Sequence, residues 1–221
     1  MTAVVDQRRR NRTYYAGDLR RDLLDAALET VARDGPSAVN LRALARDLGV
    51  SHAAPANHFA DKTAVFTAIA QEGFELLGQA MDQALAAVPA GQPGRVRVAA
   101  TGQAYLRFAL EHRSHFEVMW RTDLCRRDEP ALQTAADATF DQLVDAVRAA
   151  QADGWAAGAD ERSVAYLAWS SVHGLAVLWL NGPLQGLDDR SFDKVAGAVG
   201  ALLNDSLAAY AAPASKGDPN D

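Results

Sequence analysis

The sequence predicts an all-α protein, and three observations predict it. Apolar residues recur at three- and four-residue spacing through nearly all of the 221 residues. No stretch shows the strict two-residue alternation of a half-buried strand. The apolar runs are separated by clusters of Gly, Pro and Asp, which stop helices. With 49% apolar and 23% charged residues the composition suits a packed globular chain, and one cysteine, Cys125, leaves no disulfide framework to build.

About nine helices follow in order. The first spans about 16–33 on the stripe Leu19, Leu23, Leu24, Ala27, Leu28 and Val31, and stops at Asp34-Gly35-Pro36. Asn40 caps a second over 41–48, which Gly49 ends. Ser51 is expected to cap a short third to about Phe59, and Asp61 a fourth from Lys62 to about Val88. Beyond the linker 89–94 come helices at about 95–112, 114–121, 130–153, 161–180 and 191–210. The chain thus divides into a flexible basic arm (1–13), a helix-turn-helix unit (14–62), a helical body (63–212) and a disordered tail (213–221).

Residues 164–187 contain no Asp, Glu, Lys or Arg and are long enough to span a bilayer. Ser170, Ser171, His173, Asn181, Pro183 and Gln185 interrupt them and the flanks are acidic, so a helix buried in a core or subunit interface is expected instead. An arginine cluster without a following apolar stretch opens the chain, so no secretory signal is expected and a reducing cytoplasm fits.

Charge is uneven. Through Lys62 there are ten Lys plus Arg against eight Asp plus Glu, and beyond it twelve against twenty, which gives the net −6. A mildly basic head on an acidic body is the asymmetry expected if the head meets a polyanion.

The head carries the motif for that. Two short helices joined by Gly49-Val50-Ser51 form a helix-turn-helix signature: Gly permits the left-handed turn, Val50 fills the gap, and Ala45 allows close crossing. Such a unit inserts its second helix into a DNA major groove. The run Leu24-Asp25-Ala26-Ala27-Leu28, Asp34-Gly35, Leu41 through Ser51 and Asn57-His58-Phe59-Ala60-Asp61-Lys62 resembles the amino-terminal domain of TetR/AcrR-type transcriptional regulators. The stretch Ala168-Trp169-Ser170-Ser171-Val172-His173-Gly174-Leu175 resembles the Trp-His-Gly carboxy-terminal domain of one branch of that family. The resemblance implies a homodimeric repressor of double-stranded DNA, released by a small-molecule effector held in the body.

On this reading His52, Ala53, Ala54, Asn57 and His58 lie on or beside the exposed recognition helix, with Asn57 suited to an adenine edge and the alanine methyls to thymine. The resemblance places Arg42 and Ser51 at the DNA backbone, and Lys62 meets a phosphate at a helix N-terminus. The pattern departs from the family at Ala56, where a phosphate-reaching tyrosine is usual, and at Pro55, which disfavours helical geometry at Ala54. Weaker or differently aimed binding follows, and Arg8, Arg9, Arg10 and Arg12 are read either as an arm that compensates in an adjacent minor groove or as a solvated disordered tail. The alternative is a helical small-molecule-binding protein that no longer reads specific DNA.

In the body, Phe108, His112, Phe116, Met119, Trp120, Phe140, Leu143, Val147, Tyr166, Trp169 and His173 come from the helices that wall the ligand cavity in similar regulators. They imply an uncharged or weakly polar, mainly apolar or aromatic effector, with His112 or His173 as a hydrogen-bonding tip. The last two helices are expected to pair two copies into a four-helix interface through Ala165, Ala168, Val172, Ala176, Trp179, Val195, Val199, Leu202, Leu203, Leu207 and Tyr210. No phosphate loop, nucleophile elbow, Cys-x-x-Cys or His-Glu-x-x-His motif is present, so neither an enzyme nor a cofactor is expected. His52 with His58, and His112, His115 and Cys125, are poorly spaced for a metal.

Overall fold

The computed structural model describes residues 19–186 and 188–210, and contains α-helices and short 3-10 turns without a strand among them. Among the described residues the α-helices are α1 (Leu19–Asp34), α2 (Leu41–Asp47), α3 (Lys62–Ala86), α4 (Gly94–Glu111), α5 (Arg113–Met119), α6 (Pro130–Ala152), α7 (Glu161–Asn181) and α8 (Asp189–Ala208). The expected start of the first helix at residue 16, the basic arm and the tail lie outside the described residues.

Local chemistry fixes the head. The Asn40 side chain accepts from the backbone N–H of Arg42 (2.9 Å) and Ala43 (3.3 Å), so the orphan donors at the start of α2 are satisfied. The helix closes where Gly49 takes a φ of 73° and the Val50 N–H reaches the Ala45 carbonyl at 3.0 Å. Leu23, Leu24, Ala27 and Val31 of α1 pack with Leu44 and Phe59 into a core that continues into the body through Val65 and Phe66.

The third helix of the sequence reading is a 3-10 turn, Ala54–Asn57, and Ser51 makes no side-chain cap. Pro55 is the cause. It has no N–H to return to Ser51, so the Ala54 N–H bonds the Ser51 carbonyl instead (3.0 Å), one residue short of α-helical spacing. The proline ring is fully buried and anchors the turn to the head core.

The α3 helix, capped by the Asp61 carboxylate on the Ala64 N–H (2.9 Å), runs from the head into the body and packs on α4, α5 and α6. The body is completed by α7 against α4 and α6, and by α8 against α7 and α4. Gly94, assigned to the linker by sequence, is the buried first residue of α4. A Cβ there would stand 2.5 Å from the Cα and N of Ala150, a backbone that does not yield. Gly94→Ala is therefore expected to lower stability by about 1–3 kcal/mol, read as a lower urea midpoint. Asp188 caps α8 through the Ser191 N–H (2.8 Å), so that helix starts earlier than expected.

The α7 helix is long and apolar enough to cross a membrane by length and composition. Here its Val164, Ala165, Ala168, Leu175, Ala176 and Trp179 are buried within the chain. This corrects the expected pairing surface: Ala165, Ala168, Ala176, Trp179 and Leu207 are used up by the intrachain core. The large apolar residues left exposed on α7 and α8 are Leu167, Val177, Leu178 and Leu202, with Tyr166 half-exposed at the mouth of the body cavity. Composition reports that a helix is apolar on several sides, not which side its own chain covers.

Candidate functional site

On the head, the turn after α2 presents Ser51, His52, Ala53, Ala56 and Asn57 to solvent, with Ala54 and His58 half-buried. The side chains of Arg42, Ser51, His52 and Asn57 make no hydrogen bond among the described residues and are free to meet a ligand. Lys62 is not free: its ammonium donates to the Ser37 carbonyl at 3.1 Å and lies 5.2 Å above the Phe66 ring. From residue 19 to 62 the head is neutral, with Arg20, Arg21, Arg33, Arg42, Arg46 and Lys62 against Asp22, Asp25, Glu29, Asp34, Asp47 and Asp61. Its positive excess resides in the first eighteen residues.

The body holds a partly open cavity of about 870 Å³ between α3, α4, α6, α7 and α8. Aromatic rings make one end of it. Trp120 stands 5.1 Å from Phe74 and 5.3 Å from Trp169, and Phe140 stacks on Tyr166 at 4.9 Å. Of the cavity residues expected from sequence, Trp120, Phe140, Leu143, Tyr166 and Trp169 line it. The other six do not.

Each exception has a physical reason. Phe108, Phe116, Met119 and Val147 are buried among neighbouring helices, Met119 packing against Gly73. His112 sits at the α4–α5 junction and stacks on Phe108 at 5.2 Å. His173 turns to Tyr105, whose hydroxyl stands 2.6 Å from its Nδ1. Burial raises the phenol and lowers the imidazole, so a neutral tyrosine and a neutral histidine share this hydrogen bond, which engages the Nδ1 side of His173. Sequence reasoning missed Tyr105, Thr101 and Trp155, which do line the cavity. Thr101 and Tyr105 are one turn apart, a signal available on the helix face. The Trp155 indole holds α8 by donating to the Asn204 carbonyl at 3.2 Å.

Head and body meet at a small polar cluster. Arg21 of α1 pairs with Asp25 and, at 2.6 Å, with Glu72 of α3, while buried His115 of α5 lies 3.9 Å from the same Glu72 carboxylate. Burial pushes His115 below the ordinary imidazole value, aided by His112 and Arg21 and opposed by Glu72 and Asp25. Nearby, the Arg126 guanidinium holds the capping carboxylate of Asp61 at 2.6 Å. Cys125 is buried beside it, its thiol 3.5 Å from the Phe66 carbonyl and pushed up to about 11 by burial.

His115 and His173 both have lowered folded values. Below about pH 6.5 the unfolded chain therefore binds protons that the folded chain refuses. Their contribution is complete above that pH and is lost as pH falls below it. Thermal midpoints are expected to drop between about pH 7 and 5, and His115→Gln to flatten part of that drop. An unchanged profile in the variant would remove His115 from this role.

The head is matched over residues 23–69 by the family model described as bacterial regulatory proteins, tetR family. The body is matched over 98–199 by the tetracyclin repressor-like C-terminal domain. Among solved structures, a protein with unknown function from Rhodococcus sp. RHA1 is 35% identical, with a TM-score of 0.76 over 90% of this chain and 100% of that one. The TetR family transcriptional regulator PfmR from Thermus thermophilus shares the fold at 19% identity and a TM-score of 0.66, over 83% and 97% of the two chains. The ketosteroid transcriptional regulator KstR2 of Mycobacterium tuberculosis does so at 16% identity and 0.63, over 86% and 94%. No curated protein matches the sequence.

Proposed function

This chain belongs to the TetR family of bacterial regulatory proteins, a non-enzymatic family, and from that premise we propose that it is a cytoplasmic homodimeric repressor released from its operator by an effector in the body cavity. The observation that carries this reading is the continuity of α3, which bears the DNA-facing turn at its start and cavity residues Phe74, Leu77 and Met81 further along. Occupation of the cavity acts on the helix that holds the head. The effector must bind the DNA-incompetent arrangement more tightly, or no equilibrium shifts.

His52, Ala53, Ala54, Asn57 and His58 read bases, while Arg42, Ser51 and Lys62 hold the backbone. Two copies pair across the outward faces of α7 and α8, which sets two heads at the roughly 34–36 Å spacing of successive major grooves. Trp169, His173 and Gly174 fall within the matched body region, which supports the Trp-His-Gly branch. The neutral head and the 3-10 turn at Pro55 favour a second reading, a ligand-binding protein without sequence-specific DNA binding.

A gel shift with the DNA flanking the chain's own coding region separates the two. Specific retardation at physiological salt supports the repressor; only salt-sensitive, sequence-blind binding supports the second. Asn57→Ala is expected to cost about 1–3 kcal/mol and relax one base pair, and Lys62→Ala to weaken all sites alike. Binding untouched by both changes would overturn the contact assignment.

A further inference from the structure

The cavity wall is mostly apolar, yet four exposed arginines, Arg95, Arg107, Arg127 and Arg162, contribute to it against two acidic residues, Asp137 and Asp193. That excess of positive charge sits in a body where acidic residues outnumber basic ones by twenty to twelve. Pairing sharpens the contrast. Away from the cavity, Arg121 is held by both oxygens of Asp123, Arg148 by Glu161 and Arg126 by Asp61. Among the described residues Arg95, Arg107 and Arg127 hold no carboxylate, and Arg162 has Asp141 at 3.9 Å and lies in the field of Asp160 and Glu161 without a close ion pair to either.

Arg162 is also placed for the task. Its guanidinium lies 5.0 Å over the Phe140 ring, which stacks on Tyr166, a half-exposed residue of the same wall. A cation thus stands at the end of an aromatic surface. A planar guanidinium takes a carboxylate through two parallel N–H donors, a fork geometry that an exposed arginine keeps in water. A neutral hydrocarbon would leave these groups to water, and a small inorganic anion would leave the aromatic wall uncovered. The volume lies near the upper end of the roughly 300–1,000 Å³ of small-molecule sites.

We propose that the effector is an amphipathic organic anion, with a flat apolar body against Trp120, Phe140 and Trp169 and a carboxylate on Arg127 and Arg162. This rests on the body cavity being the effector site, and it replaces the uncharged effector expected from sequence.

The test uses the full chain and three matched probes, 1-pyrenebutyrate, its methyl ester and 1-pyrenemethylammonium, with binding read as energy transfer from tryptophan. At about 0.1 M salt the acid is expected to bind about tenfold tighter than the ester, and the ammonium weakest. Arg127→Ala with Arg162→Ala brings the acid-to-ester ratio near one, and the paired Lys substitutions restore most of it. Equal binding of acid and ester, or tightest binding of the ammonium, overturns the anion and leaves the cavity reading standing. A ratio that survives the double alanine variant overturns the assignment to these arginines. Energy transfer from none of the three overturns both the proposal and the cavity reading.

Discussion

Replacing Phe66 by alanine is expected to lower the unfolding free energy by about 3–5 kcal/mol, a large share of the roughly 5–15 kcal/mol that holds a domain together. The ring is 1% exposed, in the second turn of α3, where the head core of Leu23, Val31 and Leu44 joins that of the body. Removing it leaves a cavity at the joint and takes away the surface over which the Lys62 ammonium rests. Denaturant unfolding followed by circular dichroism reads the loss, and Phe66→Leu, nearer in volume, should cost about 1.5 kcal/mol or less. A loss of about 1 kcal/mol or less for the alanine variant would mean that something other than this core unites head and body.

Neutralising Arg8, Arg9, Arg10 and Arg12 together is expected to weaken operator binding about a hundredfold. Residues 19–62 carry no net charge, and Lys62 already bonds the Ser37 carbonyl. On the proposed repressor reading the arm supplies the net positive charge that meets the phosphates. Each phosphate neutralised adds roughly 0.9 to the dependence of log affinity on log salt, so four lost contacts should flatten the slope by about 3–4 per head. Fluorescence anisotropy on a labelled operator across a salt series measures both quantities. An unchanged slope would place the arm in solvent and move the burden to Arg42 and the turn.

Local chemistry was the part of this molecule legible in the sequence. Asn40 and Asp61 cap the helices expected of them because a cap needs only a side-chain oxygen and the N–H groups two or three residues on. Gly49 is equally self-contained. The third helix was misread because Pro55 is tolerable at a helix start, and only the fit of its ring into the head core converts the segment to a 3-10 turn. The cavity depends on distant partners. Periodicity marks Phe108, Phe116 and Tyr105 alike as inward, but which of them meets empty space and which a neighbouring ring is settled by helices many residues away. The outward face of α7 escaped for the same reason: small residues such as Ala165 and Ala176 suit a core and a subunit contact equally well.

The lone thiol has a consequence for how the molecule opens. Cys125 is sealed beneath the carbonyls of Phe66 and Val118, and its proton is held well above neutral pH. An alkylating reagent attacks the thiolate, so it reaches sulfur readily only in molecules in which the loop carrying Cys125 has momentarily parted from α3 and α5. With one cysteine in the chain, the rate of labelling is an intrinsic clock for that parting, free of any added dye.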